Sequence, residues 1–169
     1  MDSEKLSERE KQPGHDRTFR KSEVAFIETA TRCLDPEIYE VVANPKDLRE
    51  CFARKDDGGR LGLAPEASIT NKFTGSKFFV EVKNQGPRGN AEERACKLHT
   101  VRFYKLMEEM YGYDYHPYIT VCCGNLATDR RYTEKFKYLF EPDNYFLWVD
   151  FDSDLLSEYL RGRCSAWLG

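Results

Sequence analysis

A chain of 169 residues that is 40% hydrophobic and 14% aromatic has the side chains for one buried core. A third of the chain is charged but the net charge is only −3, which counts mildly against a protein that coats nucleic acid through overall positive charge and leaves one whose basic groups are confined to a cleft. Its apolar runs are only a few residues long, too short for a signal peptide or a membrane span, and its cysteines (Cys33, Cys51, Cys96, Cys122, Cys123, Cys164) form no C-x-x-C pair, so they read as reduced, mostly buried thiols.

Residues 1–17 are polar, mixed in charge and broken by Pro13-Gly14, and are expected to form a flexible arm before one domain over 18–169. His15 falls in that arm and carries no chemistry. From Ser22, as a cap, a helix is expected with Val24, Ile27 and Ala30-Thr31 on one face, ended by Asp35-Pro36. Asn44-Pro45 starts a second, short helix striped by Leu48, Cys51 and Phe52, and Asp56-Asp57-Gly58-Gly59 reads as a loop.

A hairpin follows, with strands over 66–73 and 77–83 and a turn at Thr74-Gly75-Ser76. Side chains alternate across a strand, so Phe78, Val80 and Val82 share one face while Phe79, Glu81 and Lys83 share the other. After the Gly86-Pro87 turn, one helix of about twenty residues is expected over 90–110. Asn90 and Glu93 would be its cap and partner, Cys96, His99, Phe103, Leu106, Met107 and Met110 its buried stripe, and Tyr111-Gly112 its end. The apolar run Pro117–Cys123 suits a central strand buried on both faces. A helix over 128–140 capped by Thr128, a strand over 144–149 and a helix over 153–161 complete an α/β order with a mixed central sheet flanked by helices.

Two carboxylates, Glu66 and Glu81, have fourteen residues between them, and the turn near their midpoint brings them together. Lys83 points the same way as Glu81. Hydrolysis of a phosphodiester needs a divalent cation held by hard oxygen ligands and a positive group near the attacking water. Glu66, Glu81 and the Val82 backbone carbonyl are able to supply the ligands, and Lys83 the charge. The triplet alone equally fits a strand edge kept soluble by its charges.

The next segment narrows the choice. Arg88-Gly89-Asn90-Ala91-Glu92-Glu93-Arg94 sets glycine and asparagine at a helix start with an arginine on each side. Between Lys83 and Lys105 the local charge is +4, inside a chain of −3. Helix N-termini attract phosphate, and Asn and Arg side chains pair with purine edges in the major groove. Asn90 as a plain helix cap, and Arg94 as an exposed ion pair within its helix, are the alternatives.

The order PE(x14)EVK, then RGNAEERACKL, resembles the PD-(D/E)xK nucleases, specifically type II restriction endonucleases of the EcoRI/MunI type, with the MunI branch nearer. The likeness runs over about residues 61–150, through the later DRR…DNYFLW stretch. It implies the restriction-endonuclease-like fold and a homodimer that cuts double-stranded palindromic DNA with Mg²⁺, leaving staggered 5′-phosphate ends. It implies Glu66 and Glu81 as catalytic metal ligands and Lys83 as the catalytic lysine. Gly89, Asn90, Ala91 and Arg94 would read an AATT centre, and Arg88 an outer C·G pair, giving CAATTG. A cognate DNA methyltransferase in the same prokaryotic cytoplasm is implied too.

Two departures stand out. Glu66 occupies a position where the family usually has Asp, and Asp56 or Asp57 would substitute only at a worse spacing. The Lys83–Arg88 loop is short for the family. The alternatives are therefore a DNA-binding relative that cuts weakly or not at all, and a repair or branched-DNA nuclease of the same fold. Other chemistries are less well supported. Cys96 and His99 are three apart on a helix face but sit in its apolar stripe; His116 reads as a turn residue. Tyr111, Tyr113, Tyr115 and Tyr118 suit base stacking, a dimer contact or a core edge. No Walker or dinucleotide-binding glycine pattern is present.

Overall fold

Residues 21–48 and 64–169 are described by the computed structural model. The expected arm, the Cys51–Phe52 part of the second helix, and the 56–59 loop with its two aspartates lie outside those residues.

The described strands form a five-stranded mixed sheet in sequential order. β1 (Tyr39–Ala43), β2 (Ala67–Asn71) and β3 (Lys77–Gln85) pair antiparallel; β3, β4 (Tyr118–Gly124) and β5 (Tyr145–Leu147) pair parallel. The hairpin turn is where glycine belongs, with Gly75 at φ 73°. Each parallel step needs a crossover, and helices supply it. α2 (Ala91–Ala95) and α3 (Val101–Tyr111) join β3 to β4; α4 (Asn125–Thr128) and α5 (Arg130–Leu139) join β4 to β5. α1 (21–33) and α6 (Ser153–Arg163) bracket this unit in the chain.

The alternation expected for β3 sorts the core into two sides. Phe78, Val80 and Val82 pack with Phe26 and Ala30 of α1 and Leu156 and Leu160 of α6. On the other face Phe79 meets Phe103 and Met107 of α3, and Cys122 of β4 meets Tyr132 and Phe136 of α5. β4 is buried from Tyr118 through Cys123, as its unbroken apolar run requires. Each large side chain fully buried here is worth about 1.5–3 kcal/mol over leaving it exposed.

Four expectations change. β1 was not foreseen: it is a short, half-exposed edge strand between two proline turns. Within α1 the inward residues are Phe26 and Ala30, while Val24 is 53% exposed, and Ser22 lies inside the helix accepting a bond from Asn84 Nδ2 (2.7 Å). The helix expected over 90–110 is two helices. The Thr120 hydroxyl donates to the carbonyl of Ala95 (2.8 Å), ending α2, and Thr100 restarts the chain by accepting from the N–H of Phe103 (3.1 Å). Finally Asp129, not Thr128, caps α5, accepting from the N–H of Arg131 (2.9 Å). No described helix is long and apolar enough to cross a membrane.

Candidate active site and nucleic-acid interface

β2 and β3 pair up to Ala67↔Val80, so Glu66, one residue earlier, arrives beside Glu81. Its Oε2 accepts the N–H of Val82 at 3.0 Å. Lys83 Nζ lies 2.5 Å from Glu81 Oε1 and 3.9 Å from Glu66 Oε1. The three side chains are only 14–21% exposed. Two carboxylates thus share one ammonium in a largely dry pocket.

Burial and that crowding of negative charge set the titration of Glu66. Burial, and next the Glu81 charge, push the Glu66 carboxyl up to about 8; Lys83 and the Val82 N–H oppose this only in part. For Lys83, burial pulls downward, but the charge and hydrogen bond of Glu81, with Glu66 behind, reverse it, so its pKa ends above the usual value. The lysine is held as a cation.

The same face supplies a residue the sequence did not reveal. The Tyr118 hydroxyl donates to Glu81 Oε2 at 2.7 Å, so both oxygens of Glu81 are engaged. Tyr118 is 2% exposed, and burial together with the Glu81 charge raises its pKa well above normal, keeping it a donor. Only its position opposite Phe79 in the parallel register, two residues before Glu81, could have pointed to it.

A divalent cation fits this donor set. Glu66 and Glu81 share one ammonium, and burial with the Glu81 charge raises the Glu66 carboxyl. The N–H of Val82 faces Glu66, and in a strand the carbonyl of a residue faces the same neighbour as its N–H. Extending the register sets Pro65 opposite Val82, and proline has no N–H to occupy that carbonyl. Among the described residues no group of three His, Cys, Asp or Glu side chains is placed to hold a metal. Two carboxylates and one carbonyl leave room for water, the condition Mg²⁺ prefers.

Past β3 the Gly86–Asn90 segment is exposed, with Arg88 and Asn90 turned to solvent and Gly89 at φ 147°. Asn90 makes no side-chain cap bond, contrary to the capping-box expectation. The N–H of Ala91 donates instead to Gln85 Oε1 (2.8 Å). Arg94, exposed on α2, lines a cleft of about 210 Å³ together with Glu81, Ala95, Lys97 and Tyr118. One wall of that cleft belongs to the acidic site and another to the arginine segment.

The remaining candidates resolve into structure. Tyr111, Tyr113, Tyr115 and Trp167 stack on one another with centroids 5.2, 4.9 and 5.3 Å apart. Cys96 donates to the carbonyl of Glu92, while His99 Nε2 bonds Thr120 Oγ1, so they form no catalytic pair. A larger cavity of about 670 Å³, lined by His99, Tyr104, His116 and Asn144, includes none of Glu66, Glu81 and Lys83.

Comparison with known proteins bears on this geometry. The model of the family described as type II restriction enzyme MunI matches residues 1–164. The chain belongs to the MunI family of type II restriction enzymes. Over 129 residues it is 28% identical to the type II restriction enzyme MunI of a Mycoplasma species. That match covers 66% of this chain and 64% of the relative, so the chain spans somewhat under two thirds of that protein's length. The crystal structure of MunI restriction endonuclease in complex with cognate DNA superimposes with a TM-score of 0.63 at 23% identity, covering 78% of this chain and 83% of that one. The fold, a mixed sheet flanked by helices, is therefore that of MunI, as the resemblance implied. The family match also takes in every residue of the acidic site and of the arginine segment.

Proposed function

We propose that the protein is a Mg²⁺-dependent, site-specific endodeoxyribonuclease that acts as a homodimer on a palindromic duplex with an AATT centre, CAATTG being the site its residues suit best. The observation that carries this is the meeting of Glu66 and Glu81 around the one ammonium of Lys83, with Glu81 and Arg94 lining one cleft.

Glu66, Glu81 and the Val82 carbonyl hold the cation, and Tyr118 fixes the Glu81 carboxylate. A bound Mg²⁺ supplies charge neutralisation at the phosphate and a lowered pKa for water. Lys83, a cation beside Glu81, would present its ammonium to the scissile phosphate and stabilise the charge that builds there. Water oxygen bonds to phosphorus, the bond from phosphorus to the 3′ oxygen breaks, the water proton passes to solvent and the leaving 3′ oxygen takes a proton from solvent. The products carry a 5′-phosphate and a 3′-hydroxyl. One site per protomer on a two-fold duplex gives a staggered double-strand cut.

Within an AATT centre Asn90 suits the N6 and N7 edge of adenine, Arg94 suits adenine N7, and Ala91 suits a thymine methyl. Arg88 is placed before Gly89 for the outer pair. In a prokaryotic cytoplasm such an enzyme needs a cognate methyltransferase, because host DNA carries the same sites. A second reading is supported by Glu66 itself: a longer, partly protonated ligand already bonded to Val82 would leave a protein that binds DNA and cuts slowly.

Incubation with plasmid DNA and Mg²⁺, beside an EDTA control, followed by sequencing of the ends, decides between them. Discrete AATT-centred cuts in Mg²⁺ alone are expected. Selective binding without cuts would favour the second reading, and cutting in EDTA would contradict the metal-dependent mechanism.

A further inference from the structure

We propose that Tyr132 on α5 is a specificity-determining positioning residue: through Gln85 it holds the Gly89–Ala91 segment in the conformation that reads base edges. The proposal rests on the DNA-reading role given above to that segment.

Gln85 ends β3 and is 4% exposed; Tyr132 is 2% exposed. The N–H of Ala91 can only donate, so the end of the Gln85 amide that meets it is the oxygen. The other end, Nε2, donates to the Tyr132 hydroxyl at 2.5 Å. Arg131 donates to the same hydroxyl oxygen and lies 4.8 Å over the Tyr132 ring. One buried amide thus joins the exposed segment to a helix 47 residues away in sequence.

Gly89 rests on the same side chain. A Cβ there would sit 3.3 Å from Gln85 Cγ, at a φ of 147° that L residues rarely adopt. Gln85 therefore bears on the chain on both sides of Asn90, leaving little room for a side chain at position 89 and holding Ala91 by hydrogen bond. Asn90, with no cap bond of its own, is left to project. A second tie between α2 and α5, Lys135 to Glu92 at 3.0 Å, involves a lysine that is 54% exposed and adds little. The buried link through Tyr132 is the one that orients the segment.

Base edges demand closer placement than phosphates do, because a bidentate pair has fixed geometry while a phosphate contact tolerates slack. Loosening the link should cost discrimination before it costs general affinity. In the full-length chain, Tyr132→Phe keeps the buried ring and removes the hydroxyl. Equilibrium binding in Ca²⁺ is measured on an AATT-centred duplex and on one with a single inner pair changed. The ratio of affinities should fall about tenfold, with the changed duplex bound within about twofold of wild type, and the Ala91 amide should exchange hydrogen faster. Gln85→Met approaches the link from its other end and should reproduce the loss. An unchanged ratio in both variants, or equal weakening on both duplexes, would overturn the proposal. If the wild-type chain shows no preference between the duplexes, the reading role of the segment fails and the clamp's role fails with it; a selective wild type and an equally selective variant sink the clamp alone.

Discussion

The acidic pocket and the arginine segment are neighbours along the chain and are held in opposite ways. Glu66, Glu81 and Lys83 stand on or beside paired strands, are no more than 21% exposed and bond mainly to one another. Arg88, Asn90 and Arg94 are exposed, and their segment leans on one buried glutamine. A group that must keep the same place through a reaction is built into the sheet. Groups that must meet a partner of their own shape are left outside it, with their positions set from beneath.

The largest effect should come from breaking the pocket. Glu81→Ala removes the carboxylate that Lys83 and Tyr118 both engage, and cutting at ordinary Mg²⁺ should drop by about a thousandfold or more in single-turnover kinetics. Selective DNA binding should persist, since the exposed segment is untouched. Next, Arg94→Ala should leave the pocket intact yet lose about 1–3 kcal/mol of discrimination at the inner base pairs, measured by competition binding. Equal weakening on all sequences would make Arg94 a phosphate contact and erase the contrast between the two regions. Tyr118→Phe is subtler: hydrogen bonds to charged groups are worth about 1.5–3 kcal/mol, so the Mg²⁺ concentration for half-maximal cutting should rise by about tenfold or more with DNA binding unchanged.

The smallest effect concerns the support under the segment. The single Thr120 hydroxyl proton goes to Ala95, so His99 must donate from Nε2, leaving Nδ1 buried without a partner among the described residues. Burial, then the neighbouring His116, lowers His99 to about 3, and burial lowers His116 to about 4. Both are depressed below the unfolded value near 6.5, so their contribution is full above that pH and is lost as pH falls through the folded values. Melting followed from pH 7 to 4 should show stability declining by up to about 1.4 kcal/mol per pH unit for each histidine that takes up its proton only on unfolding. Glu66, raised to about 8, titrates with the opposite sign and offsets about one histidine over this range, so a stability that rises as pH falls would mean the pair is protonated in the native state.

The sequence exposed the pocket because its logic is local. Two-residue alternation placed Glu81 with Lys83, and a central turn brought Glu66 back. It exposed β4 through an unbroken apolar run. It hid what depends on distant partners: Tyr118 is 37 residues from Glu81 and Tyr132 is 47 from Gln85, and no periodicity reports such bonds. The break between α2 and α3 was hidden likewise, because the hydroxyl that ends α2 belongs to Thr120 on another element. Asn90 misled for the opposite reason. It has the right chemistry for a cap, but its side chain accepts no cap bond and the N–H of Glu93 goes to its backbone carbonyl.

The central claim is that cutting and reading are separable. Lys83→Ala tests it most directly, assayed on one AATT-centred duplex for both cleavage in Mg²⁺ and binding selectivity in Ca²⁺. The expected result is cleavage reduced by about a thousandfold with the selectivity ratio of the wild type retained. Loss of selectivity together with cleavage, or retention of both, would contradict the account.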